Sequence, residues 1–442
     1  MRVLASLAVV MATAVLVMPV AAQAPAVQVR LIEDIRSGGG SAPRLLTRAA
    51  DLIFFRANDG VHGAELWATD GTAQGTRLVR DIRPGEAGSG PTLLTPVGSR
   101  VYFTAVDGLH GRELWVSDGT RAGTHIVKDL DRGAAGSAIT GIADGGGTAY
   151  LGLDHRQLWR TDGTARTTVK VRDFLAVDVG AARWMRGRLY LPADDALWRS
   201  DGTATGTQRL SRRFWGIDEI TVFCKHIYLR ATPPLAPYGG VPQLWWSDGT
   251  WAGTRRLGTM LDPTFLIPLG SRLYFDARAS ETKPARLYVG DGTAGGIAPV
   301  RPWVPRLLFP VAAAGRLWAA GASAGQIGSD QLWVSDGTAE GTTLLRDGDE
   351  RWFVHDWEDG GHAALGGRLW FAATPVTEIG TSRGMDAEIW TSDGTVGGTA
   401  EVADINATGS SSPRELIRLG SSILFTADDG VHGRELWSLT LS

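Results

Sequence analysis

One recurring octapeptide constrains this chain more than any other feature. Glu-Leu-Trp-x-x-Asp-Gly-Thr stands intact at Glu65 to Thr72 and Glu113 to Thr120. Aligning the chain on its aromatic position finds nine copies, at Trp67, Trp115, Trp159, Trp198, Trp245, Tyr288, Trp333, Trp390 and Trp437. The spacing runs from 39 residues, between Trp159 and Trp198, to 57, between Trp333 and Trp390. That is near the roughly 40 to 50 residues of a four-stranded propeller blade and longer than a 34-residue helical repeat. With 58 Gly and no 3.6-residue periodicity, a helical solenoid is disfavoured.

The second unit shows the grammar of a repeat. Thr92 to Val97, Arg100 to Ala105, Arg112 to Ser117 and Thr124 to Asp129 are rich in β-branched and aromatic residues and bounded by Gly, Pro, Asp or Ser. They read as four short strands. Leu and Trp are adjacent in each copy, so they point to opposite sides of a blade, and a blade stacked between two others buries both. The chain is also offset: Val27 to Ile35 matches the fourth strand of other units, and the last unit stops after its third strand, at Glu435 to Ser442. The expectation is an all-β fold, one domain over 27–442. It is a closed β-propeller of about nine four-stranded blades, with the N-terminal strand completing the last blade on the strand around Glu435 to Leu439. Closure of this kind removes free sheet edges. Eight blades is the alternative, with the unit at Tyr288 as the irregular one.

Arg2, the apolar run Val3 to Val20 and the small residues Ala21-Ala22-Gln23-Ala24 have the layout of a secretory leader. Residues 1–22 are expected to be a signal peptide, with Pro25 disfavouring a cut directly after Ala24. The protein is then secreted or periplasmic, and the run without Cys excludes a lipoprotein anchor. No later segment has the length and apolarity of a membrane span. Basic and acidic residues, 44 against 47, nearly cancel, so no whole-chain field favours nucleic acid. The single cysteine, Cys224, excludes an intrachain disulfide, and its apolar surroundings read as a buried structural thiol.

The block resembles the bacterial ELWxxDGT repeat proteins over nearly the whole chain after the leader. That resemblance implies an exported, propeller-like protein of a group without an established common activity. The turn at Ser117-Asp118-Gly119-Thr120 is similar to the Asp-box of sialidase-type propellers, which implies a folding device. On this reading Asp70, Asp118, Asp162, Asp201, Asp248, Asp291, Asp336 and Asp393 are structural turn residues: Asp accepts backbone N–H bonds, Gly takes a positive φ and Thr caps the exit. One carboxylate per turn falls short of the oxygen ligands Ca²⁺ requires. Gln157, Ala196, Gln243 and Gln331 replace the leading Glu, and the Gly before Thr168 is missing.

A second motif, Asp-Gly-x-His-Gly, occurs three times, with Asp59 and His62, Asp107 and His110, and Asp429 and His432. It falls between the second and third strands of units one, two and nine, which are neighbours in a closed ring. A loop pattern opens on the same face at Asp34-Ile-Arg-Ser-Gly, Asp81-Ile-Arg-Pro-Gly, Asp129-Leu-Asp-Arg-Gly and Asp404-Ile-Asn-Ala-Thr-Gly. These six Asp and His residues are the candidate ligand-binding set, able to hydrogen-bond a glycan. A shared zinc is disfavoured, because blade-related His side chains lie on the order of 10 Å apart. The competing reading is an ordinary hairpin turn. His125, His155, His226, His355 and His362 share no spacing.

Nucleophile elbows, phosphate loops and His-Glu-x-x-His are absent, so no catalytic residue is assigned. Asp194-Asp195 and Glu358-Asp359 are the adjacent carboxylate pairs to check for glycosidase chemistry. Surplus aromatics, Phe214-Trp215, Trp245-Trp246 with Trp251, Trp303, and Trp352 to Trp357, either stack on sugars or pack the hub. The expectation is an exported, monomeric, non-catalytic binding module without cofactor, presenting a propeller face to a glycan or cell-envelope protein. The alternatives are a polysaccharide-acting hydrolase or lyase using carboxylates in the central channel, and a structural component of a surface assembly.

Overall fold

The structure, a computed structural model, describes residues 26–212, 214–233, 240–300, 307–321, 331–345, 351–354, 360–376 and 386–441. The leader, Trp303, His355, Trp357 and the Glu358-Asp359 pair lie outside the described residues. Of Trp352 only the backbone is described.

The described residues form antiparallel β-sheets and no α-helix, so none can supply a membrane-spanning helix. Most sheets have four strands, taken consecutively along the chain. The first is Arg44–Ala49, Leu52–Asn58, Ala64–Thr69 and Arg77–Arg80; the second is Thr92–Val97, Arg100–Val106, Arg112–Ser117 and His125–Lys128. The arrangement is that of a propeller-type fold. The sheet at the C-terminus is completed from the other end of the chain. Val27–Glu33 pairs with Arg434–Leu441, Val29 opposite Leu439 and Leu31 opposite Trp437, beyond Ser422–Asp428 and Arg414–Leu419.

The core is a series of sheet-on-sheet interfaces, as expected where every sheet buries both faces. Leu66 joins Val101, Phe103 and Trp115 between the first and second sheets. Its neighbour Trp67 packs on the opposite side, against the cluster of Ile53, Phe55, Leu424 and Leu436 that joins the first sheet to the last. Ile32 of the N-terminal strand is buried in that same cluster, and Val27 and Val29 pack on the next one, which contains Leu439 and Phe425.

The sixth unit keeps its four strands: Tyr288 is buried and stacks on Phe275 at 5.8 Å. The irregularity sits at its junction with the fifth. There one long strand, Arg255–Leu269, serves both units, giving a seven-stranded sheet. No Gly-rich loop interrupts this stretch, so the chain continues from outer to inner strand through two register shifts.

Cys224 departs from the sequence reading. The apolar run 220–229 is two strands folded on each other, Phe223 pairing with His226, and Cys224 and Lys225 form the two-residue turn at φ 47° and 61°. Cys224 is therefore exposed. Two positive φ values in a two-residue hairpin match the twist of the flanking strands.

Candidate functional site

Strands alternate in direction, so every turn between third and fourth strands lies at one end of its sheet. The hairpins between second and third strands, and the loops that lead to the next sheet, lie at the other end. The two repeated motifs therefore occupy opposite faces.

At the first end each of the eight repeat Asp residues folds its own turn. Asp70 Oδ1 accepts from Thr72 N at 2.9 Å and from Thr72 Oγ1 at 2.7 Å, and Thr72 Oγ1 accepts from Gly75 N at 3.0 Å. The same pair of bonds to the Thr two residues on recurs at Asp118, Asp162, Asp201, Asp248, Asp291, Asp336 and Asp393. The Thr72 hydroxyl and then its N–H hold the Asp70 carboxyl below the usual carboxylate range. A Cβ on Gly75 would overlap that carboxylate, which is why Gly stands there. In the third unit Thr167 replaces this Gly, and its hydroxyl donates to Asp162. With Oδ1 committed to its own turn, this Asp set offers no assembled ligand site.

At the second end the Asp-Gly-x-His-Gly hairpins are built alike. Asp59 Oδ1 accepts from Val61 N and His62 N at 2.9 and 2.8 Å, and Asp59 Oδ2 lies 2.6 Å from His62 Nδ1. Asp107 with His110 and Asp429 with His432 repeat this at 2.7 and 2.6 Å. The candidate site is thus altered in content. Each carboxylate is spent on its own hairpin, and what faces outward is the imidazole, 36% to 40% exposed. Beside each imidazole stands an exposed aliphatic residue, Val61 at 65%, Leu109 at 75% and Val431 at 78%. Among the described residues no cluster of His, Cys, Asp or Glu has the arrangement of a metal site.

The carboxylate raises the pKa of each His by hydrogen bonding to its ring, in His62, His110 and His432. Burial opposes ionisation of Asp59, Asp107 and Asp429. The His N–H, the ring and the N–H before it outweigh that burial and keep all three lowered. The Gly after each His is required by packing: a Cβ on Gly63, Gly111 or Gly433 would overlap the backbone of Gly88, Gly136 or Gly40 in the loop that follows.

Those loops are held by residues the sequence reading did not assign. Glu65, Glu113, Glu388 and Glu435, the leading Glu of the octapeptide, are buried. Glu65 accepts from Ser89 Oγ at 2.5 Å and Ser89 N at 2.8 Å, and Glu435 accepts from Ser41 Oγ at 2.5 Å and Ser41 N at 2.7 Å. Ser411 does the same for Glu388, and Ser137 donates to Glu113 through Oγ alone, its N–H going to Arg112 O. Burial pushes all four carboxyls up, and none forms an ion pair with Lys or Arg among the described residues. The available signal was the Ser that closes each loop pattern, at 41, 89, 137 and 411.

Beside these loops, a pocket of about 680 Å³ opens between the first strands of three sheets. Its wall includes Arg44, Leu45, Leu93, Arg414, Glu415 and Arg434. Glu415 Oε2 accepts from Leu46 N at 2.7 Å, tying the last sheet to the first. Leu45, Leu93 and Glu415 hold the same place in their units, at a strand irregularity, with φ of 63°, 55° and 54°.

Asp194-Asp195 is a two-residue turn in which Asp194 Oδ1 accepts from Leu175 N and Ala176 N, and the two residues are not a facing carboxylate pair. Of the described surplus aromatics, Phe214 and Trp245 meet in the core between two sheets instead of on a surface. Trp245 packs edge-on against Phe214, and Trp246 lies tilted against the His226 ring at 4.8 Å. Trp215 and Trp251 are exposed but lie at opposite ends of the sheets.

No protein-family model matches the chain, and no curated protein matches it. Among solved structures it is similar to the computationally designed Ika8 protein, at 16% identity over 83% of this chain and 98% of that one, TM-score 0.40. It is also similar to puromycin hydrolase, at 12% identity over 90% of this chain and 52% of that one, TM-score 0.40. For the acylaminoacyl peptidase of Pyrococcus horikoshii the figures are 13%, 87%, 57% and 0.40. The chain spans little more than half the length of either enzyme.

Proposed function

We propose that this chain is an exported, non-catalytic binding module of the ELWxxDGT-repeat type. It is a closed propeller of about nine blades whose hairpin face meets a glycan or a cell-envelope protein. The observation that carries this reading is the gathering of features on one face of neighbouring units. Three hairpins there present an imidazole beside an exposed aliphatic residue, next to a cationic pocket. Export rests on the leader-like residues 1–22. The pairing of the N-terminal strand with the last unit and the packing of the first sheet on the last support closure, and the seven-stranded sheet counts as two blades.

The enzyme alternative finds less support. The one carboxylate in the pocket wall, Glu415, is engaged by Leu46 N, and the buried Glu residues are bonded to their loops. The test is a triple variant, His62→Ala, His110→Ala and His432→Ala, assayed beside the parent on a glycan array and against purified envelope proteins. Loss of a parent ligand in a variant of unchanged melting temperature is the expected result. Ligands retained in full would move the site elsewhere, and turnover of a polysaccharide would replace this reading with the enzyme one.

A further inference from the structure

The pocket beside the hairpins carries a charge arrangement that the repeat itself does not require. In the second and last units Thr104 and Thr426 stand opposite the start of the first strand, facing Thr92 and Arg414. In the first unit that place is Arg56, directly opposite Arg44. Like charges opposite each other across a ladder are destabilising. Neither Arg44 nor Arg56 forms an ion pair among the described residues, and Arg44 is exposed in the pocket wall. Arg112 lies close by. Its guanidinium bonds neutral acceptors, Gly90 O at 2.9 Å among them, and burial followed by the neighbouring Arg56 holds it below the usual guanidinium value. Among the described residues the pocket wall itself carries Arg44, Arg414 and Arg434 against one carboxylate, Glu415, so positive charge is in excess here.

Apolar groups accompany it. Leu45 and Leu93 adopt positive φ, which for a non-glycine residue is strained and persists only where the surroundings impose it. Both are 38% exposed and line the pocket instead of entering the sheet core. Among the described residues no aromatic ring lines the pocket, so they offer a sugar ring no stacking platform there. At about 680 Å³ the pocket is of ordinary ligand-site size. We propose that this pocket, with Arg44 and Arg56 facing each other across the ladder and Leu45 and Leu93 in its wall, binds an acidic peptide segment bearing aliphatic side chains. The proposal rests on reading the hairpin face as the binding face and names the partner class for it.

The test measures anisotropy of labelled hexapeptides of alternating Leu and Glu, Leu and Gln, or Ser and Glu, with an oligo-uronate of equal charge as the sugar arm. The Leu-Glu peptide is expected to bind tightest. Arg44→Gln and Leu93→Asn, the latter keeping a residue that tolerates positive φ, should each raise its Kd about tenfold or more. Both variants should melt as the parent does. Equal affinity for the Leu-Glu and Leu-Gln peptides, no peptide binding, or binding unaffected by the two substitutions overturns the proposal. Arg44-dependent binding of the uronate alone also overturns the peptide assignment, yet leaves the face as the binding face. Loss of all ligand sensitivity to both this pair and the three His substitutions would instead remove the reading of the face.

Discussion

Two stretches of the chain treat the same repeat differently. In units eight, nine, one and two, the leading Glu is present, buried and bonded to a Ser in the loop that follows. In the middle units Gln157, Ala196 and Gln243 take its place, and the loops are held by other means. Gln157 Oε1 accepts from Trp159 Nε1 at 2.9 Å instead of gripping a loop, and Ser211 Oγ accepts from Leu197 N at 2.9 Å. The eight turn Asp residues, by contrast, are alike in both stretches. The difference separates two jobs within one octapeptide. Asp-Gly-Thr folds a blade wherever it occurs, whereas Glu fixes the loop beneath the hairpin face and is kept where that face is regular. Hairpins and pocket belong to the second job.

The largest expected effect concerns the junction that makes this sector continuous. Starting the chain at residue 37 removes Val27–Glu33, the outer strand of the last sheet, and uncovers Leu439 and Leu436. Val27, Val29 and Ile32 would leave their clusters, at roughly 1.5–3 kcal/mol for each fully buried aliphatic chain against a typical stability of about 5–15 kcal/mol. The shortened protein should aggregate or melt far lower, whereas a start at residue 25 should give a soluble monomer. Equal melting temperatures by calorimetry, with both monomeric, would mean that this strand does not support the regular sector.

A smaller effect contrasts the two stretches directly. Glu113→Ala leaves Ser137 Oγ and the Leu130 N–H without their acceptor, at about 1–3 kcal/mol for each buried group left unpaired. Gln157→Ala removes one neutral bond, worth about 0.5–1.5 kcal/mol. Denaturant melts should therefore rank Glu113→Ala well below Gln157→Ala. If the two lose equal stability, the clamp is no more than a side-chain bond and the contrast between stretches fails.

What was legible in the sequence divides along the same line. Adjacent Leu and Trp facing opposite sides, and the offset of the terminal strands, follow from the two-residue period of a strand, and Leu66, Trp67 and Val29 lie accordingly. The Asp-Gly-x-His-Gly motif was visible as a motif, but its carboxylate reads as a ligand until the hairpin is seen to use both oxygens. The Glu clamps join residues 23 or 24 apart in three cases and 394 apart in the fourth, and their trace in the sequence is the Ser that closes each loop pattern, which does not name its partner. Arg44 opposite Arg56 depends on a register shift between Arg44 and Thr47, which strand alternation alone misplaces.

The smallest effect is electrostatic and sharpens the contrast between a surface hairpin and the interior. His62, His110 and His432 each lean on a carboxylate and should titrate above 6.5, whereas His362, half-buried and opposite Phe371 in strand register, should titrate below it because burial disfavours its charged form. The sign follows from linkage. A His raised in the folded state contributes stability that is fully present below pH 6.5 and is lost as pH rises through its folded value. The lowered Asp59, Asp107 and Asp429 contribute above 3.8, and that part is lost as pH falls through their folded values. The hairpin pairs therefore act between those limits, and the shifts of His and Asp describe one interaction counted from two sides. Because the rings are more than a third exposed, solvent keeps the effect on global stability small, and the measurement belongs on the rings themselves. Imidazole shifts followed by NMR against pH should place three rings high and His362 low. Asp59→Asn should bring His62 alone back toward 6.5, because the other two hairpins carry their own carboxylates. A return of all three together would mean that the hairpins are coupled through the face rather than built as separate turns.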